Sequence, residues 1–187
     1  MKSNIRRLCE TALLLALATL LSFLKIDLPT GGGITACSML PLIIICWRYG
    51  TGWGLFSAFT YSVLQLFFGL DNVRYATSTV MALGIILLDY IVAYSVLGFS
   101  AVFRGRMKNE GAALITGIAV TFFARFLCHF VTGAWIWNVL WPNEAGMAAT
   151  VYSAVYNGWY MTGELVLTCV VASAIRKPLG KYFTKPT

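Results

Sequence analysis

ARFLCHFVTGAWIW, residues 124–137, is an apolar stretch that holds an arginine and the chain's one histidine. Arg125, His129, Gly133 and Trp137 recur every fourth residue. On an α-helix that spacing draws a slowly drifting stripe along one side. What the stripe means depends on the solvent around the helix. Inside a bilayer, a cation and an imidazole would be turned toward the bundle interior.

The rest of the chain decides for the bilayer. The 187 residues are 59% hydrophobic and 11% charged, against about 25% charged in a soluble domain. The apolar residues gather in long runs rather than amphipathic stripes: ETALLLALATLLSFL, MLPLIIICW, LFSAFTYSVLQLFFGL, VMALGIILLDYIVAYSVLGF, ALITGIAVTFFARFLCHF and ELVLTCVVASAI. A helix crosses the hydrocarbon core with about 20 such residues. Arg6 and Arg7 before the first run would suit a signal peptide, but five later runs favour a retained span.

These runs predict an all-α integral membrane protein, one six-helix domain over 1–187. Its helices cover about 5–24, 36–48 (short for a span), 52–69, 78–103, 111–137 and 147–175. Between them lie KIDLPTGGGIT, the small-residue turn YGTGWG, GLDNVRYATS, RGRMKNEG and WPNEAG, rich in residues that interrupt helices. With both termini inside, eleven of the fourteen lysines and arginines fall on the cytoplasmic side: Lys2, Arg6, Arg7, Arg48, Arg104, Arg106, Lys108, Arg176, Lys177, Lys181 and Lys185. Lys25 and Arg74 lie outside and Arg125 within the membrane. Topology and anionic lipid headgroups therefore explain the net charge of +7, and no nucleic-acid partner is needed. The five cysteines have no paired spacing, so neither a metal site nor a disulfide is expected.

Charges at bilayer depth cost from about 2.5 kcal/mol upward, which singles out Asp89, Arg125 and Glu164. Counted at about 1.5 Å per residue, Asp89, His129, Tyr152 and Asn157 lie about 16, 12, 8 and 15 Å below the outer ends of their helices. Three helices thus place polar groups in one layer, which reads as a pocket open to the outside under an aromatic lid of Trp135, Trp137 and Trp141. Asp89 would match a cation and Trp137 a cationic or aromatic ring. Asn157 would suit a heterocycle edge, and Gly133 would leave room for a flat ring. Plainer alternatives stand beside each. Asp89 and Arg125 could pair with each other, or Arg125 with Glu164. Gly133 could be a helix-packing notch. The tryptophans could form an interfacial belt, a reading that suits Trp141 best.

At this point the residues resemble a family. ETALLLALATLLSF, LPLIIICWRYG, LLDYIVAYSVLG, RFLCHFVTGAWIW and VYSAVYNG together resemble the ThiT group, the thiamine-specific S components of energy-coupling-factor (ECF) transporters. The resemblance implies a thiamine pocket at His129, Gly133, Trp137, Tyr152 and Asn157. Asp89 and Tyr90 fall where the family has Glu-Tyr, and Arg125 where it has lysine. Ala12 and Ala16 match a small-residue motif that packs against the transmembrane coupling subunit. The departures are the shorter Asp89, a loop PTGGGIT without tryptophan, and the extra carboxylate Glu164. Tyr75 is a candidate aromatic contact from the second outer loop.

The resemblance implies a substrate-capturing subunit in the bacterial plasma membrane, working with a coupling subunit and two ATPase subunits. The chain carries no GxxxxGK[ST] loop of its own and needs no cofactor; thiamine is cargo. Alternatives are an S component for a thiamine precursor such as a hydroxymethylpyrimidine or another flat heterocycle, and a stand-alone ion-coupled carrier using Asp89 and Glu164. An intramembrane enzyme built on Ser153 and His129 lacks a motif tying the two together. A purely structural subunit is the remaining class.

Overall fold

The computed structural model describes residues 2–28 and 31–184. Pro29 and Thr30 of the glycine loop and Lys185 of the basic tail lie outside the described residues, as does the side chain of Lys2. Helix α1 spans Lys2–Phe23, α2 Leu40–Tyr49, α3 Thr51–Phe68 and the short α4 Leu70–Arg74. Then come three long helices, α5 Thr79–Phe99, α6 Glu110–Leu140 and α7 Ala149–Arg176, each long and apolar enough to cross a membrane. Ser78 caps α5 through the Met81 amide, and Asn109 caps α6 through the Gly111 and Ala112 amides.

The second helix is short, as its sequence implied. Ten residues span about 15 Å, half of the hydrocarbon core of about 30 Å. Every residue from Leu40 to Arg48 is buried, because α1, α3 and the last turn of α5 surround it. A helix apolar on all sides is covered on all sides, and here protein rather than lipid supplies the cover. The turn after it is tighter than expected. Gly50 alone reverses the chain, at φ 88°, while Gly52 and Gly54 already lie in α3.

Two local features differ from the sequence reading. The loop KIDLPTGGGIT is not irregular throughout: Lys25–Asp27 (β1) pairs antiparallel with Gly33–Thr35 (β2). And α5 and α6 each widen into a π-helical segment, over Ile85–Val92 and Gly133–Trp137. The first contains Asp89 and Tyr90; the second begins at Gly133 and ends at Trp137. Such widenings concentrate at functional sites because they turn side chains off the ordinary 3.6-residue register.

At one end of the bundle the basic residues gather. Arg48 bonds both Glu10 oxygens and the Lys181 carbonyl, and Tyr49 also donates to Glu10. Arg6 reaches the same carboxylate at 2.8 Å. Arg104 donates to the Trp47 carbonyl, and Arg7 lies over the Trp53 ring at 4.0 Å. This clasp joins α1, α2 and the last turn of the chain, Gly180–Tyr182. The hairpin and α4 lie at the other end.

Candidate ligand-binding site

A cavity of about 620 Å³ opens at the hairpin end, between α5, α6 and α7. All four residues of the opening stripe line it, Arg125, His129, Gly133 and Trp137, together with Asp89, Tyr90, Tyr152 and Asn157. The layer inferred from helix depth is therefore one physical space. Lys25, Gly32 and Gly33 of the hairpin close it from the side of the loop.

Asp89 is its hub. The Nδ1 of His129 lies 3.0 Å from Asp89 Oδ1, Thr132 Oγ1 donates to the same oxygen, and Trp137 Nε1 donates to Oδ2 at 2.8 Å. All three donors come from α6, whose wider turn at Gly133–Trp137 brings the indole to the carboxylate reached by His129 eight residues earlier. A carboxylate only accepts, so Nδ1 carries the proton; in the neutral imidazole Nε2 is then an acceptor. That Nε2 is buried and has no partner among the described residues. Two carboxylate oxygens offer about four acceptor positions, of which three are used. No arginine or lysine pairs with Asp89 among the described residues.

The proposed Asp89–Arg125 pair is therefore absent, and the alternative holds. Arg125 Nη1 binds Glu164 Oε2 at 2.9 Å, with both side chains almost wholly buried. Arg125 also lies over the Tyr94 ring, 4.9 Å from its centroid. Thr35 donates to the other Glu164 oxygen, which ties the base of the hairpin to α7. Arg125 lies one helical turn below His129, at the level where α7 presents Glu164.

The aromatic lid is partly redrawn. Trp137 and Trp141 stack with centroids 5.6 Å apart, and Tyr75 meets Trp141 edge-on at 4.8 Å. Trp141 thus stands at the cavity mouth while 52% exposed, and Tyr75 packs on it without lining the cavity. Trp135 does not join them. It is 60% exposed on the opposite side of α6 and touches Phe130.

Two further residues do something other than their types suggested. Asn157 spends its amide protons on the carbonyls of His129 and Ser153, and its oxygen accepts from Tyr160. It rivets α7 to α6 rather than offering a free edge. Gly133 is the notch beneath that rivet, where a Cβ would collide with Ser153 Oγ and crowd Asn157 Nδ2. Ser153 itself donates to the Phe130 carbonyl at 2.8 Å, so it is no nucleophile poised on His129. Tyr90 holds the outer loop, accepting from Asn72 at 2.7 Å and donating to the Gly69 carbonyl.

The hairpin rides along one stripe of α7. Gly31 and Gly32, at φ 87° and 73°, lie on the rings of Tyr156 and Tyr160, where any Cβ would overlap the tyrosine. Thr35 meets Glu164 one turn further on. Thr132 and Tyr94 are site residues that the sequence reading passed over; Thr132 carried a signal, three residues after His129 on the same helix face. No cluster of three metal-ligating side chains occurs among the described residues. Ala12 and Ala16 are exposed on α1, beside an apolar groove of about 990 Å³ lined by Leu13, Leu17 and α7.

Known proteins resemble this chain over almost its whole length. The model of the family described as thiamine transporter protein matches residues 8–184. The thiamine transporter ThiT of Bacillus subtilis is 27% identical over 177 residues, covering 88% of this chain and 87% of that protein. ThiT of Lacticaseibacillus paracasei is 27% identical over 180 residues, covering 89% and 84%. The solved structure of ThiT from Listeria monocytogenes superposes with a TM-score of 0.78 at 24% identity, covering 98% of this chain and all of that one, and so shares its fold. A family match that leaves out only the first seven residues and the last three, on a chain folded as a solved member is folded, makes this chain a member of the thiamine transporter protein family.

Proposed function

We propose that this chain captures thiamine from outside the cell and hands it inward as the S component of an ECF-type importer. It is a multi-pass plasma-membrane protein, and its relatives are transporters rather than enzymes. Asp89 carries the reading: a buried carboxylate, fixed by three side-chain donors, faces the cavity with no lysine or arginine among the described residues paired to it. Such a group is best satisfied by a cationic ligand. Thiamine supplies a thiazolium cation for Asp89 and the stacked Trp137–Trp141 pair. Its aminopyrimidine supplies an N–H for the unpartnered Nε2 of His129. Arg125, Gly133, Tyr90, Tyr152 and Asn157 complete the wall.

The membrane arrangement follows the same reading. In it the chain crosses six times, along α1, the segment 36–49 that contains the short α2, α3, α5, α6 and α7, so that both termini and the basic clasp are inside and the cavity mouth is outside. Ala12 and Ala16 present small residues on α1, where a helix of a coupling subunit can approach closely. ATP hydrolysis then belongs to two further subunits. Purified protein should bind thiamine without those partners, yet proteoliposomes holding it alone should show no uptake. Uptake driven by a proton or sodium gradient alone would replace this reading with a stand-alone carrier. Binding of a pyrimidine precursor in preference to thiamine would keep the site and change its cargo.

A further inference from the structure

Two carboxyl groups and a guanidinium lie in or just behind the cavity wall on α5, α6 and α7: Asp89, Glu164 and Arg125. Arg125 lines the cavity. Glu164 does not; it is 1% exposed and stands behind Arg125, one oxygen on the guanidinium and the other held by Thr35. Lys25, the remaining cation of the lining, is paired with Asp27 at 3.0 Å and largely exposed, so solvent screens it.

The charges then add simply. Glu164 offsets Arg125, and Asp89 remains, met by the His129 imidazole and two neutral donors. Without Glu164 the interior would be neutral overall. It would also present a buried guanidinium whose Nε already lacks a partner among the described residues, a ready receptor for a phosphate or carboxylate. Burial enlarges the consequence, because charges in a dry site are poorly screened.

We propose that Glu164 sets the ligand's charge class by acting through Arg125: it silences the guanidinium as an anion receptor, so that the cavity takes the cation and turns away phosphorylated forms of the same molecule. A phosphate ester adds about −1.5 to −2 charge, which converts a cationic ligand into an anionic one without altering its rings. This rests on the thiamine reading of the cavity. Thr35 serves the same end from the hairpin by holding the carboxylate against Arg125.

The test titrates purified protein with thiamine and with thiamine monophosphate, and reads the ratio of the two Kd values. In Glu164→Gln, which keeps the acceptor and loses the charge, the ratio of ester Kd to thiamine Kd should fall at least tenfold. In Arg125→Met/Glu164→Met, which removes both charges and leaves Asp89, overall affinity should drop, while the ratio stays within about threefold of wild type. A purely structural role for Glu164 would weaken both ligands together and leave the ratio alone; an unchanged ratio in Glu164→Gln overturns the proposal. A fall in the double variant as large as in Glu164→Gln overturns it as well, since shape rather than charge would then decide. Should Glu164→Gln not fold, Thr35→Val should still lower the ratio about threefold, and no change there counts against the proposal. A wild-type protein that binds neither compound defeats the thiamine reading itself, an outcome distinct from binding with an unmoved ratio.

Discussion

Glu10 and Asp89 are both carboxylates on helices of this bundle, and their surroundings are opposite. Glu10, at the basic end, is held by Arg6, Arg48 and Tyr49. Its charge is spent within the protein. Asp89, in the cavity, is oriented as firmly by His129, Thr132 and Trp137, but no arginine or lysine among the described residues meets its charge. The first arrangement fastens α1 to α2 and to the last turn. The second fixes a charge in position and leaves it available to a ligand. Stability and receptivity are thus built from the same residue type, separated by the choice of donors.

The sharpest way to break this contrast is at the third carboxylate, which shares features of both. Arg125→Met alone strands a buried Glu164 and should cost about 3–5 kcal/mol, whereas Arg125→Met/Glu164→Met should cost far less than the sum of the single changes. Chemical or thermal unfolding in detergent measures both, and additive losses would mean that the pair is not coupled. Next, Asp89→Asn keeps the shape of the hub and removes its charge. Thiamine affinity should fall by about 2–3 kcal/mol, roughly 30- to 150-fold, with little change in Tm. Glu10→Gln should do the reverse. It should lower stability by about 2 kcal/mol, less than a fully buried pair because Glu10 is 21% exposed, while thiamine Kd stays put. Loss of thiamine affinity in Glu10→Gln would erase the distinction between the two ends. Smallest, Trp137→Phe keeps the stacking face and deletes one hydrogen bond to Asp89. A loss of about 1.5 kcal/mol, near tenfold in Kd, is expected by calorimetric titration.

Composition and spacing made the cavity's lining legible. A histidine and an aspartate in apolar helices have few places to go, and helical rise alone put them at one depth with Tyr152 and Asn157. The Arg125–Glu164 pair was one of two open options, since nothing in a linear sequence ranks Glu164 against Asp89 as the partner of Arg125. What stayed hidden has physical causes. The π-helical turns at Ile85–Val92 and Gly133–Trp137 leave no mark in a pattern read at 3.6 residues per turn. The three-residue strands of the hairpin are too short and too glycine-rich to show alternation. Asn157 looked available because its type is versatile; only the fold reveals that His129, Ser153 and Tyr160 use it up. Trp135 and Trp141 have the same composition signal and different fates, Trp135 facing away from the cavity on α6 and Trp141 lining it just past the helix end.

Trp137 and Trp141 stand in the cavity wall, so their fluorescence reports on its contents. The measurement to make is a titration of the purified wild-type protein with thiamine, run beside Asp89→Asn under the same conditions. Saturable quenching in the wild type, shifted at least thirtyfold to higher thiamine in Asp89→Asn, is the result required if an unpaired buried carboxylate recruits a cationic vitamin. Equal quenching curves for the two proteins, or none in the wild type, would contradict it.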